Sequence, residues 1–186
     1  MLRLYDWEIN LAQLNLMDSH DTARTLWTVR EDESALRLCT LFQMTMPGAP
    51  CIYYGDEVGM TGANDPYCRG AFPWHDRESW NEDLLDFHKR AIAMRHAYPA
   101  LRTGSFEALL ARGSVYAFRR VLADEEMIVV FNVAEERVSV DIPLGESSTP
   151  GAYTAVWGEG THTAQAQRLP GVTIGGRGAL VLKRAG

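Results

Sequence analysis

The sequence predicts an α/β segment of two strand–helix units, about a quarter of a (β/α)8 TIM barrel, followed by an antiparallel β-sandwich. Three observations carry that prediction. Residues 1–103 alternate two short apolar strand-like runs with two helical patterns, whereas residues 104–186 hold seven short β-like runs separated by turns. The change falls at Pro99-Ala100-Leu101-Arg102-Thr103-Gly104, which reads as a joint between two domains. Parallel strands are normally buried on both faces within a larger sheet. A (β/α)8 barrel takes roughly 250 residues, so two such units are only its last quarter, with the sandwich appended.

In chain order, Leu11 to Met17 is the first strand-like run and ends in the polar cluster Asp18-Ser19-His20-Asp21-Thr22. Glu31, Asp32 and Glu33 then precede a helix whose apolar residues, Leu36, Leu38, Cys39, Leu41, Phe42 and Met44, occupy most faces; Pro47 and Gly48 stop it. Pro50-Cys51-Ile52-Tyr53-Tyr54 is the second strand, and Gly55 opens a loop to about Arg77. A loop this long is usually functional or disordered, and Tyr67, Phe72 and Trp74 favour order. Ser79-Trp80-Asn81-Glu82 matches a capping box for a helix from Trp80 to His96, with Leu84, Phe87, Ala91 and Met94 on one stripe. The β-like runs follow at Phe106–Leu110, Val115–Val121, Met127–Asn132, Val138–Ile142, Tyr153–Trp157, Val172–Ile174 and Ala179–Lys183.

Composition excludes several function classes. With 186 residues, 46% of them hydrophobic and 23% charged, the chain is globular. Its 18 basic and 24 acidic side chains leave a net charge of −6, which argues against nucleic acid as a partner. The longest apolar runs, such as Met127–Phe131, are far short of the ~20 residues that a membrane helix requires, so no membrane partner is expected. Cys39, Cys51 and Cys68 form neither an even set nor a CxxC pair. Unbridged thiols and a reducing, cytoplasmic compartment are therefore expected, with Cys68 the more exposed because its loop is polar. Met1–Asp6 carries no apolar signal core. No cofactor and no dedicated metal site is expected, because no segment has the ligand spacing of a calcium loop.

The chemistry concentrates after the first strand. Asp18, His20, Asp21 and Arg24 place carboxylates, an imidazole and a guanidinium where barrel enzymes put catalytic groups. Such a set suits sugar hydroxyls, which require paired acceptors and donors. The same spacing also fits a plain turn in which Asp18 or Asp21 caps and Arg24 pairs with Glu31. Asp56 and Glu57 are adjacent acids at the second strand's end, and successive strand residues point to opposite faces. They read as a structural pair rather than two carboxylates flanking one bond. Tyr53, Tyr54, Phe72 and Trp74 could stack on sugar faces, although packing explains them equally well.

Three segments carry a family resemblance. Asn15-Leu16-Met17-Asp18-Ser19-His20-Asp21-Thr22 resembles the fourth conserved region of the α-amylase superfamily, glycoside hydrolase family 13. Gly48-Ala49-Pro50-Cys51-Ile52-Tyr53-Tyr54-Gly55-Asp56-Glu57-Val58-Gly59-Met60 resembles that family's eighth barrel strand and loop. Thr61-Gly62-Ala63-Asn64-Asp65-Pro66-Tyr67-Cys68-Arg69 is similar to a segment of cyclomaltodextrinases, neopullulanases and maltogenic amylases. The resemblance implies that residues 1–103 hold barrel strands 7 and 8 with their helices, and residues 104–186 the C-terminal β domain. It implies Asp21 as the carboxylate that stabilises the transition state through the sugar 2- and 3-hydroxyls, with His20 on the same sugar. Asp65 and Arg69 match residues that hold the next glucose; an internal Asp65–Arg69 ion pair would use the same side chains.

Two positions depart from the family pattern: Ala23 stands where a Pro is usual and Gly70 where a second basic residue is usual. The family's nucleophilic Asp and acid/base Glu follow barrel strands 4 and 5, and neither motif occurs here. The expected function is the C-terminal part of an α-glucan- or cyclodextrin-hydrolysing glycosidase, retaining in its intact form and inactive as this chain alone. The alternative is a carbohydrate-binding or interaction module without catalysis. Exposed barrel strands are expected to make the isolated chain self-associate.

Overall fold

The computed structural model describes residues 4–145 and 151–185. The first three residues of the amino-terminal stretch read above lie outside them. The chain divides into two compact units, Met1–Ala93 and Met94–Gly186. No helix among the described residues is long and apolar enough to cross a membrane.

The first unit contains α1 (Trp7–Ala12), β1 (Leu14–Leu16), α2 (Thr25–Thr28), α3 (Glu33–Thr45), β2 (Ala49–Cys51) and most of α4 (Glu82–Ala97). β1 and β2 pair in parallel, Leu14 opposite Ala49 and Leu16 opposite Cys51, with α3 as the crossover. Gln43 on α3 ties the pair together, because its amide donates to the carbonyls of both Asn15 and Cys51 at 2.8 Å. Gly48 turns the chain into β2 at φ 106°, where a Cβ would meet the Gln13 carbonyl at 2.7 Å. Both strands are shorter than the apolar runs suggest. The stretch from Leu11 begins as the end of α1, and Ile52–Tyr54 leaves the ladder at once.

Asp32 caps α3 by accepting from the backbone N–H groups of Ser34 and Ala35. The cap of α4 is Asn81, whose Oδ1 accepts from Leu84 N at 3.0 Å, and not Ser79. Ser79 belongs to a 3₁₀ turn and donates its hydroxyl to the Asp76 carbonyl, and Trp80 is extended, so the helix starts at Glu82. The predicted stripe holds: Leu84, Phe87, Ala91 and Met94 are buried, joined by His88.

The second unit adds α5 (Pro99–Thr103), β3 (Ser105–Arg112), β4 (Val115–Leu122), β5 (Glu125–Asn132), β6 (Val138–Pro143), β7 (Ala152–Trp157), β8 (Thr161–Thr163), β9 (Arg168–Ile174) and β10 (Gly178–Arg184). They form an antiparallel six-stranded sheet, order β3-β4-β5-β10-β7-β8, and a two-stranded sheet β6-β9. Ile128, Val130, Tyr153 and Leu182 of the large sheet share one core with Ile142, Leu169 and Val172 of the small one, which is a sandwich. β8 escapes the sequence reading because Thr161-His162-Thr163 has no apolar alternation. The segment read as the joint, residues 99–104, holds α5 and packs on β4 and β5 inside the second unit, whereas the two units divide between Ala93 and Met94.

Arg120 on β4, fully buried, fastens α5 to the sheet. Its guanidinium donates to the carbonyls of Leu101 at 2.9 Å, Gly104 at 3.0 Å and Ser105 at 2.9 Å, and Arg95 donates to Leu101 as well. The terminal carbonyls of α5 thus find donors without water. Gly104 fits beneath it because any Cβ would approach the Ala100 carbonyl to 2.5 Å. Replacing Arg120 by Met keeps volume but removes those donors. Denaturant unfolding is expected to register a loss of about 3 kcal/mol, with Arg120→Lys failing to restore it because an ammonium cannot serve three carbonyls in a fork.

Candidate active site

Two loops leave the carboxyl ends of the parallel strands, residues 17–24 after β1 and residues 52–81 after β2. The first loop is closed on itself from below. Asp18, 3% exposed, accepts from Thr25 N at 2.5 Å, so its carboxylate joins the loop's start to the first turn of α2. Ser19 and Thr22 tighten the tip, with Ser19 N donating to Thr22 Oγ1 and Asp21 N to Ser19 Oγ.

The second loop grips the first through four backbone contacts. Ala23 N donates to Asn64 Oδ1 at 3.1 Å and Arg24 N to the Gly62 carbonyl at 2.9 Å. The His20 carbonyl accepts from Arg69 Nε at 3.1 Å and from the Cys68 thiol at 3.2 Å. Gly62 is obligatory here, since a Cβ would collide with the Tyr67 carbonyl. Cys68 corrects the sequence expectation: it is fully buried, because its thiol is turned under the loop toward His20. Cys39 and Cys51 are half-buried, so Cys68 is the least exposed of the three.

Held in this way, His20 and Asp21 stand at the tip with side chains 68% and 71% exposed, and His20 Nε2 lies 3.3 Å from Asp21 Oδ2. Arg69 Nη2 pairs with Asp65 Oδ1 at 2.8 Å, both half-exposed. The structure therefore brings His20, Asp21, Asp65 and Arg69 into one patch, with Arg69 linked to both its acidic neighbour and the His20 backbone.

Arg24 does not pair with Glu31, whose carboxylate accepts from Thr61 Oγ1 at 2.6 Å instead. Its guanidinium is fully buried, donates to the Tyr54 carbonyl at 2.7 Å and to Asp56 Oδ1 at 3.3 Å, and lies over the rings of Tyr53 and Tyr54. Asp56 and Glu57 diverge as expected of a structural pair: Asp56 points into the interior, and Glu57 accepts from Gly55 N at 2.8 Å. Burial and the neighbouring Asp18 carboxyl push Asp56 up to about 8, against the smaller downward pull of Arg24. Sequence reasoning missed this buried triad, since Arg24 and Asp56 are 32 residues apart and nothing local pairs them. Of the loop aromatics, Tyr53 and Tyr54 cover Arg24, whereas Phe72, Trp74 and Trp80 form a separate cluster from which Trp74 projects 71% exposed.

A carboxylate, an imidazole and a guanidinium are thus presented beyond the carboxyl ends of two parallel strands, where α/β folds place their ligand sites. Residues 4–91 match the family described as alpha amylase, catalytic domain. Neopullulanase 2 of Thermoactinomyces vulgaris is 40% identical over 166 residues, 88% of this chain and 28% of that protein. A cyclomaltodextrinase of Geobacillus thermopakistaniensis is 39% identical over 146 residues, 77% of this chain and 25% of that protein. The solved structure of a debranching enzyme from Nostoc punctiforme superimposes with a TM-score of 0.84 at 37% identity, covering 97% of this chain and 37% of that one. Residues 4–91 belong to the α-amylase family, and the chain spans about a quarter of the length of the curated relatives it matches.

Proposed function

We propose that these residues form the C-terminal part of a retaining α-1,4-glucan hydrolase of the cyclomaltodextrinase and neopullulanase kind. In this reading residues 1–103 supply the last two units of a (β/α)8 barrel and residues 104–186 the β domain that follows it. The observation that carries the reading is the exposed His20–Asp21 pair at a strand's carboxyl end, in a loop fastened by backbone contacts on every side.

Asp21 accepts from the 2- and 3-hydroxyls of the glucose at the cleavage point. As the ring flattens toward an oxocarbenium ion those hydroxyls become stronger donors, so a fixed carboxylate binds the transition state better than the ground state. His20 donates to the same glucose. Asp65 and Arg69 face the next one, and their mutual ion pair holds both in place until sugar hydroxyls share it.

Retaining cleavage requires two carboxyl groups roughly 5–5.5 Å apart on either side of the bond. Among the described acids near Asp21, Asp18 and Asp56 are buried and Asp65 is held by Arg69. The nucleophile and the acid/base therefore come from other barrel units. Consistent with that, Leu14 and Leu16 on β1 are 59% and 49% exposed, and with Met17, Phe42 and Met46 they line an apolar groove of about 340 Å³. On its own the chain buries this groove against a second copy. Sedimentation should show mass rising with concentration, and a monomer throughout would contradict it.

The substrate reading is tested by grafting residues 4–185 in place of the matched segment of a cyclomaltodextrinase relative. The chimera is expected to hydrolyse β-cyclodextrin, and Asp21→Asn to lower kcat by about 100-fold or more. Hydrolysis that survives Asp21→Asn unchanged would overturn the assignment.

A further inference from the structure

Asp18 and Arg24 bracket the His20–Asp21 tip, yet neither side chain faces the open side of the loop. Both turn underneath it and meet Asp56 from the other loop, and the three are 3%, 0% and 6% exposed. Two acids and one base share this enclosed space. Arg24 makes one 3.3 Å contact to Asp56 and spends its other bond on the Tyr54 carbonyl, while its Nε and Nη2 have no acceptor among the described residues. It is not a two-pronged bridge and does not neutralise two carboxylates. Asp18 accepts from Thr25 N through Oδ2 and its Oδ1 has no donor among the described residues; Asp56 lines a small cavity together with Thr25 and has the Asp18 carboxyl as a side-chain hydrogen-bonding neighbour. Two neighbouring carboxyls in a buried place are stable when one proton lies between them.

The other groups facing Asp56 do not alter this count. From α4, His88 approaches across a cavity of about 10 Å³, and burial holds it below its ordinary value, so it is neutral. From α3, Leu36, Thr40 and Gln43 line that cavity, and all three are uncharged. In its own loop Glu57 is turned to Gly55 N, and Tyr53 and Tyr54 cover Arg24.

We infer that Asp56 is a positioning residue for the Asp21 loop: one proton shared with Asp18 lets Thr25 N–H and Arg24 fasten the loop's two ends, and losing that proton loosens them. The catalytic consequence rests on the reading of Asp21 given above, but the coupling itself does not. Asp56 keeps its proton to about pH 8 when folded and gives it up near its ordinary value of 3.8 when unfolded. Between those values the folded state binds more protons, so the contribution of Asp56 to stability falls as pH rises through the window and is level above it. Asparagine cannot ionise and still donates an N–H, so the stability of Asp56→Asn relative to wild type grows from about pH 4 to about pH 8 and then stays constant.

The test is carboxyl ¹³C and amide NMR of the wild-type 186-residue chain from about pH 5 to about pH 10. The Asp56 carboxyl is expected to titrate near 8, and the amides of Ser19 to Thr25 to shift with the same midpoint as Thr25 N–H loses exchange protection. In Asp56→Asn those amides should stay still over that range. Loop amides that do not move, or that follow an imidazole midpoint near 6.5, would overturn the coupling. The wild-type titration decides this even if the variant does not fold. Because no sugar is used, its failure is separate from any failure of the substrate assignment.

Discussion

A single buried guanidinium connects the two halves of the candidate site. Arg24 leaves the loop that carries His20 and Asp21, enters the interior, and ends on the backbone and carboxylate of the loop after the neighbouring strand. Its own N–H and that of Ala23 are bonded to the same second loop, at Gly62 and Asn64. A buried charge with only these two acceptors depends on both of them, and removing one partner of a buried pair costs about 3–5 kcal/mol. The exposed tip depends on this anchorage. His20 and Asp21 can be fully presented to a ligand because residues on both sides of them are not.

The two units solve the burial of strands in opposite ways. In the β domain, β5 has no exposed residue among Glu125–Asn132 and α5 covers part of β4 and β5. Its inner faces meet in one core within the unit. Among the described residues β1 and β2 pair only with one another, and Leu14 and Leu16 of β1 are exposed. A parallel pair of this kind is built to continue into a sheet. That is the physical sense of the proposal that residues 4–91 supply one wall of a site completed by other strands.

Much of this was legible in the sequence, and the exceptions share a cause. Asp32, Pro47 and Gly48 bracket α3 as read, because caps and breakers act within a few residues. The seven β runs were found because period-two alternation is local as well. The cap at Asn81, the burial of Cys68 and the Asp18–Arg24–Asp56 triad were not found. Each is decided by a contact between segments distant in sequence, as when the 3₁₀ turn takes Ser79 or the His20 carbonyl takes the Cys68 thiol. The loop residues His20, Asp21, Asp65 and Arg69 stand out in the sequence as a motif, and the contacts that bring them together do not.

On the function proposed above, this chain presents groups that grip the sugar but not the pair of carboxyls that breaks the bond. The direct measurement is hydrolysis of β-cyclodextrin and maltotriose by the purified 186-residue chain, with no other protein present. The account predicts no turnover above the buffer blank. Turnover that is abolished by Asp21→Asn would contradict it, because the nucleophile and the acid would then both lie within this chain or its symmetric partner.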